Sequence, residues 1–244
     1  MTRPFAKSAR CRRVWLAFGV AMVTLLMVIP AARAATFSNP AAITINDNAN
    51  ATPYPSTINV SGVTGKLSDV NVTLTGLQHT AVQDIGVALV APNGLGLEVM
   101  ADVGFDLAPG VTYTFDDGAP TQFSFNSTPP SGSYRPAVHF RGSDFFPSPC
   151  LYTSMLKAPP DGSPQGTLAS LNGIDPNGTW ELCVRDFVTD DSGSIGGGWS
   201  LDLTTASPTA PPTGKRAAAL KKCKKKKSKS KRAKCRKRAK KLPV

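Results

Sequence analysis

The chain has 244 residues, of which 28 are Lys or Arg and 16 are Asp or Glu, so its net charge is +12 at neutral pH. The charges are segregated: residues 207–244 contain 17 of the Lys and Arg, whereas residues 35–206 contain five of them and all 16 acidic residues, a net charge of −11. This segregation excludes a basic, nucleic-acid-binding domain and predicts an acidic domain followed by a basic tail.

Residues 1–34 have the pattern of a secretory signal. A basic start precedes the apolar run VWLAFGVAMVTLLMVIP, and small residues, Ala32 and Ala34, occupy the two positions that a signal peptidase reads. We predict cleavage after Ala34, a secreted protein and no membrane span in the remaining chain. The alternative is an uncleaved N-terminal anchor, because 17 apolar-biased residues could just cross a thin bilayer.

Residues 35–206 are predicted to form one all-β domain. DVNVTLTGL (69–77) alternates apolar and polar residues, the period-two pattern of a strand with one buried face. DIGVALVAP (84–92) is apolar on both faces and is predicted to be a central strand. Further strands are predicted at 57–60, 95–100, 111–115, 179–186 and 198–203, between Pro-, Asn- and Gly-rich turns. Many short strands without a helical period indicate a sandwich or jelly roll.

Residues 119–170 are rich in Pro, Gly and Ser, which favours a long surface excursion over regular strands. This excursion contains Cys150, and Cys183 lies in a predicted strand. In an oxidising compartment we expect these two cysteines to form a disulfide that ties the excursion to the sheet. The alternative is two unpaired thiols.

The C-terminal part divides into a Pro/Thr linker (207–214) and a Lys/Arg-rich tail (215–244). The like charges of the tail repel one another and no apolar face recurs, so the tail is predicted to be disordered or transiently helical. Cys223 and Cys235 could pair with each other or link to another chain or surface.

Four segments of the domain stand in a recognisable order: DVNVTLTGLQHTAVQDIGVALVAPNG, VTYTFDDGAP, GSYRP and LASLNGIDPNGTWELCVRDFVTDDSGSIGGGWSLDL. Over residues 43–204 this order resembles the P domain, or P/Homo B domain, of kexin- and furin-type subtilisin-like proteases. The resemblance implies a jelly-roll β-sandwich of the galactose-binding-domain type, which follows and stabilises the protease domain and binds calcium in several bacterial members. Only the leader and a few residues precede the first matching strand, so we expect a stand-alone domain.

Catalysis by a Ser or Cys nucleophile needs a general base, and the chain has two histidines, His79 and His139. His79 ends a predicted strand at a position where the family also has His, so a structural hydrogen bond is expected there. His139 lies in the excursion with no serine motif beside it. We therefore expect no catalytic residues and no enzymatic activity.

Calcium is the expected cofactor, because hard carboxylate oxygens are abundant and no His and Cys set suits a transition metal. The candidate ligands are Asp84, Asp116, Asp117, Asp175 and Asp186, with Asp190 and Asp191 beside the last of them. The alternative is that these residues form turns and cap their own backbone.

The tail is predicted to bind polyanions in a salt-dependent manner, whether anionic envelope polymers, lipid headgroups or extracellular DNA. The candidate residues are Lys221, Lys222, Lys224, Lys225, Lys226, Lys227, Arg236, Lys237 and Arg238. No aromatic residue interleaves with them, so no specific recognition of nucleic acid is expected. The alternative is a solvated tail, or one that folds onto its own acidic domain.

Together these features predict a secreted, non-catalytic P-domain-like module that is stabilised by calcium and retained at the cell envelope by its tail. Two alternatives stay open. One is an accessory domain that acts in trans on a secreted subtilisin-like protease. The other is a surface carbohydrate-binding module, for which exposed Trp or Tyr side chains in a groove would be the sign.

Overall fold

The computed structural model describes residues 32–105, 107–139, 146–150, 152–159, 166–206 and 214–242. The predicted leader up to residue 31 and linker residues 207–213 lie outside the described residues. The strands, in chain order, are β1 (Ala32–Asn39), β2 (Ile43–Ile45), β3 (Ser56–Val60), β4 (Lys66–His79), β5 (Ile85–Val90), β6 (Leu95–Ala101), β7 (Ala108–Phe115), β8 (Gly132–Tyr134), β9 (Ala137–Val138), β10 (Ser154–Lys157), β11 (Gly178–Asp186), β12 (Gly193–Ile195) and β13 (Trp199–Ala206). Two helices follow, α1 (Gly214–Lys224) and α2 (Lys229–Ala239).

The strands form two sheets, and the prediction of an all-β sandwich is confirmed. In the first sheet β4 is the shared strand: β13 and β12 pair with one edge of it and β7 with the other, while β1, β2 and β8 lie outside them. The second sheet has the order β10-β6-β5-β11-β3, with β9 also on β6. The inner faces of both sheets contribute to one core that includes Trp180 and Trp199, which are fully buried.

All of the predicted strands are present, and their burial follows the predicted patterns. In β4 the alternating residues Val70, Val72 and Leu74 are buried, whereas the residues between them are partly exposed. β5 is buried along its whole length and lies at the centre of the second sheet, as its two apolar faces indicate.

The excursion at 119–170 is more regular than predicted, because three short strands lie within it. β8 pairs in parallel with β7, and β9 and β10 pair in parallel with β6. These strands have two to four residues and join parallel partners distant in sequence, so they leave no hairpin signal. The sequence analysis also did not predict β12, because its Gly and Ser residues have the composition of a turn.

The excursion covers the outer face of the second sheet. Phe146 and Cys150 pack there on Ala88 and Val90 of β5, and Cys150 forms the predicted disulfide with Cys183 of β11, with a Cα–Cα distance of 6.1 Å. This layer lies close to the backbone, because a Cβ atom at Gly86 would come within 3.2 Å of the Phe146 ring. Burial on both faces of β5 therefore depends on the excursion.

Residues 214–242, predicted to be disordered or transiently helical, form two helices in the structure. α1 and α2 form a two-helix hairpin, which we call the cationic hairpin (214–242), closed by a disulfide between Cys223 and Cys235. Arg216 donates a hydrogen bond to the carbonyl oxygen of Lys240 at the end of α2, and so satisfies a group that a helix C-terminus leaves unpaired. Of the pairings that the sequence left open for Cys223 and Cys235, the disulfide between them holds the two helices together against their charge repulsion. No helix within the described ranges has the length and apolar character needed to cross a membrane.

Residues 32–34, the end of the predicted leader, form the start of β1 and pair with residues 204–206 of β13. Cleavage after Ala34 would leave residues 35–39 as the strand on this edge. The cleavage itself remains a prediction.

Candidate functional site

The candidate residues of the sandwich fall at the two ends of β4, which we call the Lys66 end and the His79 end. β4 has 14 residues, so these ends are roughly 40 Å apart. Asp84 and Asp186 lie at the His79 end, whereas Asp116, Asp117 and Asp175 lie near the Lys66 end. The five predicted calcium ligands therefore do not form one site.

The His79 end contains a buried histidine–carboxylate pair. His79 Nε2 in the first sheet lies 3.1 Å from Asp186 Oδ2 in the second, and both side chains are fully buried. His79 Nδ1 contacts the Ala81 backbone, 2.9 Å from its carbonyl oxygen and 3.2 Å from its nitrogen. Both ring nitrogens are thus engaged, and the pair joins the two sheets.

Opposing influences act on the pKa of the Asp186 carboxyl group. Burial raises the pKa of its carboxyl group, whereas the backbone N–H of Val188, which donates to Oδ1 at 2.8 Å, and the imidazole of His79 lower it. Asp84 ends the 3₁₀ turn Val82–Asp84, and its carbonyl oxygen accepts a hydrogen bond from the Phe187 N–H at 2.9 Å. Since both oxygens of Asp186 already have partners, this arrangement fits a structural brace better than a calcium site.

At the Lys66 end, Asp117 caps a turn. Its two carboxylate oxygens accept hydrogen bonds from the N–H groups of Leu168 (3.2 Å) and Ala169 (2.8 Å), at the start of the 3₁₀ turn Leu168–Leu171. Asp116 accepts a hydrogen bond from the Gly118 N–H at 2.6 Å. Both residues act as turn formers, the alternative role that the sequence left open.

Asp69 is a further acidic residue of this cluster, which the sequence analysis did not single out. Burial raises the pKa of its carboxyl group, and the nearby charges of Asp116 and Asp117 raise it further. The sequence contained a signal for the position of Asp69. If the predicted strands at 69–77 and 111–115 pair as antiparallel neighbours, Asn71 lies opposite Asp116. Asp69 is on the same face of its strand as Asn71 and is therefore near Asp116.

Replacing Asp69 by Asn should increase stability at neutral pH. Because the folded-state pKa of Asp69 is raised, its favourable contribution is complete below the unfolded value of about 3.9 and is lost as the pH rises through the folded value. In chelator we expect Asp69→Asn to raise the Tm at pH 7 by about 1–2 °C, the scale of weak surface charge effects, and to leave it unchanged at pH 3. Thermal denaturation of this variant, with Asp202→Asn as an exposed control, measures the effect; an equal gain at both pH values would contradict it.

Asp175 belongs to the turn that opens β11. Its Oδ1 accepts hydrogen bonds from the Asn177 backbone (3.1 Å) and side chain (2.7 Å), which lower the pKa of the exposed carboxyl group. Asn177 in turn bonds both backbone groups of Val63, and the Trp180 indole donates to the Pro176 carbonyl at 2.9 Å. The segment NGIDPNGTW is therefore a structural corner that positions Trp180 in the core. Asp190 has a φ of 82° and also occupies a turn.

Three potential metal-binding side chains come close enough to share an ion at one place in the described part of the chain, Cys150, Glu181 and Cys183. Their two sulfur atoms form the disulfide, so this group is not a ligand set.

The cationic hairpin carries all 17 Lys and Arg residues of the tail and no acidic residue. The nine cations singled out from the sequence are all exposed on it. Such a concentration of charge has a strong, salt-dependent attraction for polyanions.

Exposed apolar side chains gather at the His79 end. Phe105 and Leu107 precede β7, Val188 follows β11, and Phe125 stacks on His139 with ring centroids 3.8 Å apart. In contrast, both Trp residues within the described ranges are buried. Within these ranges, no Trp side chain therefore has the exposure expected of a carbohydrate-binding groove.

No protein-family model matches this chain, and neither does any curated protein. Among solved structures, the chain is similar to the serine protease of Aeromonas sobria in a complex with its chaperone, with a TM-score of 0.34 and 13% identity over 74% of this chain and 28% of the other. It is also similar to the structure of the Aeromonas sobria serine protease described without the chaperone, with a TM-score of 0.30 and 13% identity over 72% of this chain. The chain spans 28% of the length of these protease chains, and a likeness at these TM-scores gives no information about its activity.

Proposed function

We propose that this protein is a secreted, non-catalytic P/Homo B-like β-sandwich that is retained at an anionic cell-envelope surface by its cationic hairpin. The observation that carries the proposal is the separation of charge between two structures. The sandwich segment 35–206 has a net charge of −11, whereas the hairpin has 17 cations and no acidic residue. A disulfide closes the hairpin, so its cations are presented on a defined scaffold.

The P/Homo B assignment rests on the order of the sequence motifs, and the placement of those motifs in the fold supports it. The motif histidine ends β4, the FDDGA turn follows β7, and the Asn-Gly-Thr-Trp turn opens β11. Each motif thus stands at a strand boundary, where its residues make structural hydrogen bonds.

A non-catalytic role is supported by the two histidines. Both nitrogens of His79 have partners in the backbone and in Asp186, so this imidazole has no free nitrogen for a nucleophile. His139 stacks on the exposed Phe125.

Removal of the hairpin should release the protein from the envelope. We expect a chain that ends at residue 206 to lose at least about tenfold in envelope-bound fraction, because several phosphate-type contacts together give a steep salt-dependent affinity. Cell fractionation of both forms, with elution by increasing salt, measures this. The matched control replaces the nine exposed cations by Gln and keeps both cysteines. Equal retention of all three proteins would overturn the proposal.

Calcium is proposed to bind at the Lys66 end, where burial and the charges of Asp116 and Asp117 raise the pKa of Asp69. The three carboxylates do not lie within ion-sharing distance of one another in this structure, so binding would require them to move together. The Lys66 end is preferred to the His79 end because Asp69, Asp116 and Asp117 are partly exposed, whereas Asp186 is fully buried and paired with His79. When bound, the ion would offset the mutual repulsion of these carboxylates.

Millimolar calcium should therefore raise the Tm of the sandwich by about 3–6 °C, the scale expected when ligand exceeds its Kd many-fold. Asp69→Asn should remove this shift, and Asp84→Asn, at the other end, should keep it. Differential scanning calorimetry with and without chelator tests this expectation. An unchanged Tm in calcium, or a shift that Asp84→Asn abolishes, would contradict the proposed location.

A further inference from the structure

The cationic hairpin forms an open cleft between its two helices, with a volume of about 460 Å³. The floor is formed by Ala219, Cys223, Cys235, Ala239 and Leu242. Four cations line the same cleft, Lys226, Lys231, Lys234 and Arg238. Its size lies within the range of about 300–1,000 Å³ that is typical of small-molecule sites.

The apolar floor exists only because the helices are paired. Ala219 and Cys223 are one turn apart on α1, and Cys235 and Ala239 are one turn apart on α2, so each helix contributes a narrow strip. The disulfide joins the two strips, and Leu242, which is 39% exposed, extends the floor beyond α2. Neither helix has an apolar face of its own, so the cleft depends on the oxidised cysteines.

The cations around the cleft select a negatively charged occupant. No acidic residue occurs in residues 214–242 to neutralise them. A purely ionic polymer would use the cations and leave the floor in contact with water, whereas an amphiphile with an anionic head and a hydrocarbon part would use both.

We propose that the cleft binds an anionic membrane phospholipid, with the phosphate group at the Lys and Arg rim and the adjoining hydrocarbon on the floor. The inference rests on the proposed retention at an anionic surface and specifies the chemistry of that surface. It adds a property that charge alone does not provide, a salt-resistant component of binding that requires the disulfide.

Co-sedimentation with vesicles of phosphatidylcholine containing phosphatidylglycerol, at low and high salt, tests the proposal on the full chain. Soluble polyphosphate serves as a purely ionic probe. The oxidised protein is expected to retain vesicle binding at high salt, and both Leu242→Ser and the double variant Cys223→Ser/Cys235→Ser are expected to lose at least tenfold of that binding. Leu220→Ser is the matched control, because Leu220 is a half-buried hairpin residue outside the cleft. All four proteins should bind polyphosphate equally at low salt.

Vesicle binding of Leu242→Ser that equals the wild type at high salt would overturn the lipid site and leave the retention proposal intact. Failure of every protein to bind either probe would overturn both. If Leu242→Ser loses helical circular dichroism, Leu242→Trp replaces it: quenching of the added Trp by brominated acyl chains supports the site, and absence of quenching overturns it.

Discussion

Replacement of Asp186 by Ala is expected to lower the free energy of unfolding of the sandwich by about 3–5 kcal/mol, the usual consequence of removing one partner from a buried polar pair. His79 Nε2 would lose its partner 3.1 Å away, and the Val188 N–H would lose the oxygen to which it donates. Since His79 belongs to one sheet and Asp186 to the other, the loss weakens the contact between the two layers. Chemical denaturation at neutral pH gives the value.

Two variants sharpen this measurement. Asp202→Ala removes an exposed carboxylate that accepts a hydrogen bond from Thr36 and should cost less than about 0.5 kcal/mol. The double variant His79→Ala/Asp186→Ala should lose less than the sum of the single losses, because the two residues share one interaction. A loss below about 1 kcal/mol for Asp186→Ala, or strict additivity, would show that the pair is not a brace.

Replacement of Cys150 and Cys183 by Ala should destabilise the sandwich by about 3–4 kcal/mol. The disulfide joins residues 33 positions apart, and the chain-entropy relation for a loop of that length gives this value. The excursion should also detach from the outer face of the second sheet, so that Ala88 and Val90 become accessible. Denaturation curves give the stability, and hydrogen exchange of the β5 amides reports the detachment.

The second disulfide is the internal control for the first. Cys223 and Cys235 lie in the hairpin, so their replacement by Ala should reduce the helical signal of the hairpin and leave the denaturation midpoint of the sandwich unchanged. Two 11-residue helices are too short to be stable alone in water. If this variant destabilises the sandwich as much as the Cys150/Cys183 variant does, the two parts do not fold independently.

The sequence predicted those parts of the fold whose signal is local. The alternation in β4 and the apolar run of β5 specify burial residue by residue, and both are confirmed. β10 is different: its pairing partner β6 lies more than 50 residues earlier, and Lys157 enters the sheet opposite Glu98, whose carboxylate lies 3.3 Å from its Nζ. A local sequence pattern does not predict such a long-range contact.

The candidate site was predicted in composition but not in arrangement. The acidic residues were identified one by one, yet their grouping depends on which strands are neighbours. Asp186, one of the candidate calcium ligands, pairs with His79, and Asp69, which lies within a strand, was not among the candidates. For the tail, charge repulsion predicted disorder or transient helix, whereas the pairing of Cys223 with Cys235, which the sequence left open, joins the two helices.

The pairing of Ala32 with Ala206 makes the two ends of the sandwich different from each other. The N-terminal leader and the C-terminal hairpin both connect at the Lys66 end, since Ala206 also pairs with Lys66. The exposed side chains of Phe105, Leu107 and Val188 lie at the opposite pole. In the sandwich, these exposed apolar side chains therefore lie at the end of β4 opposite to the point where the chain leaves for the hairpin.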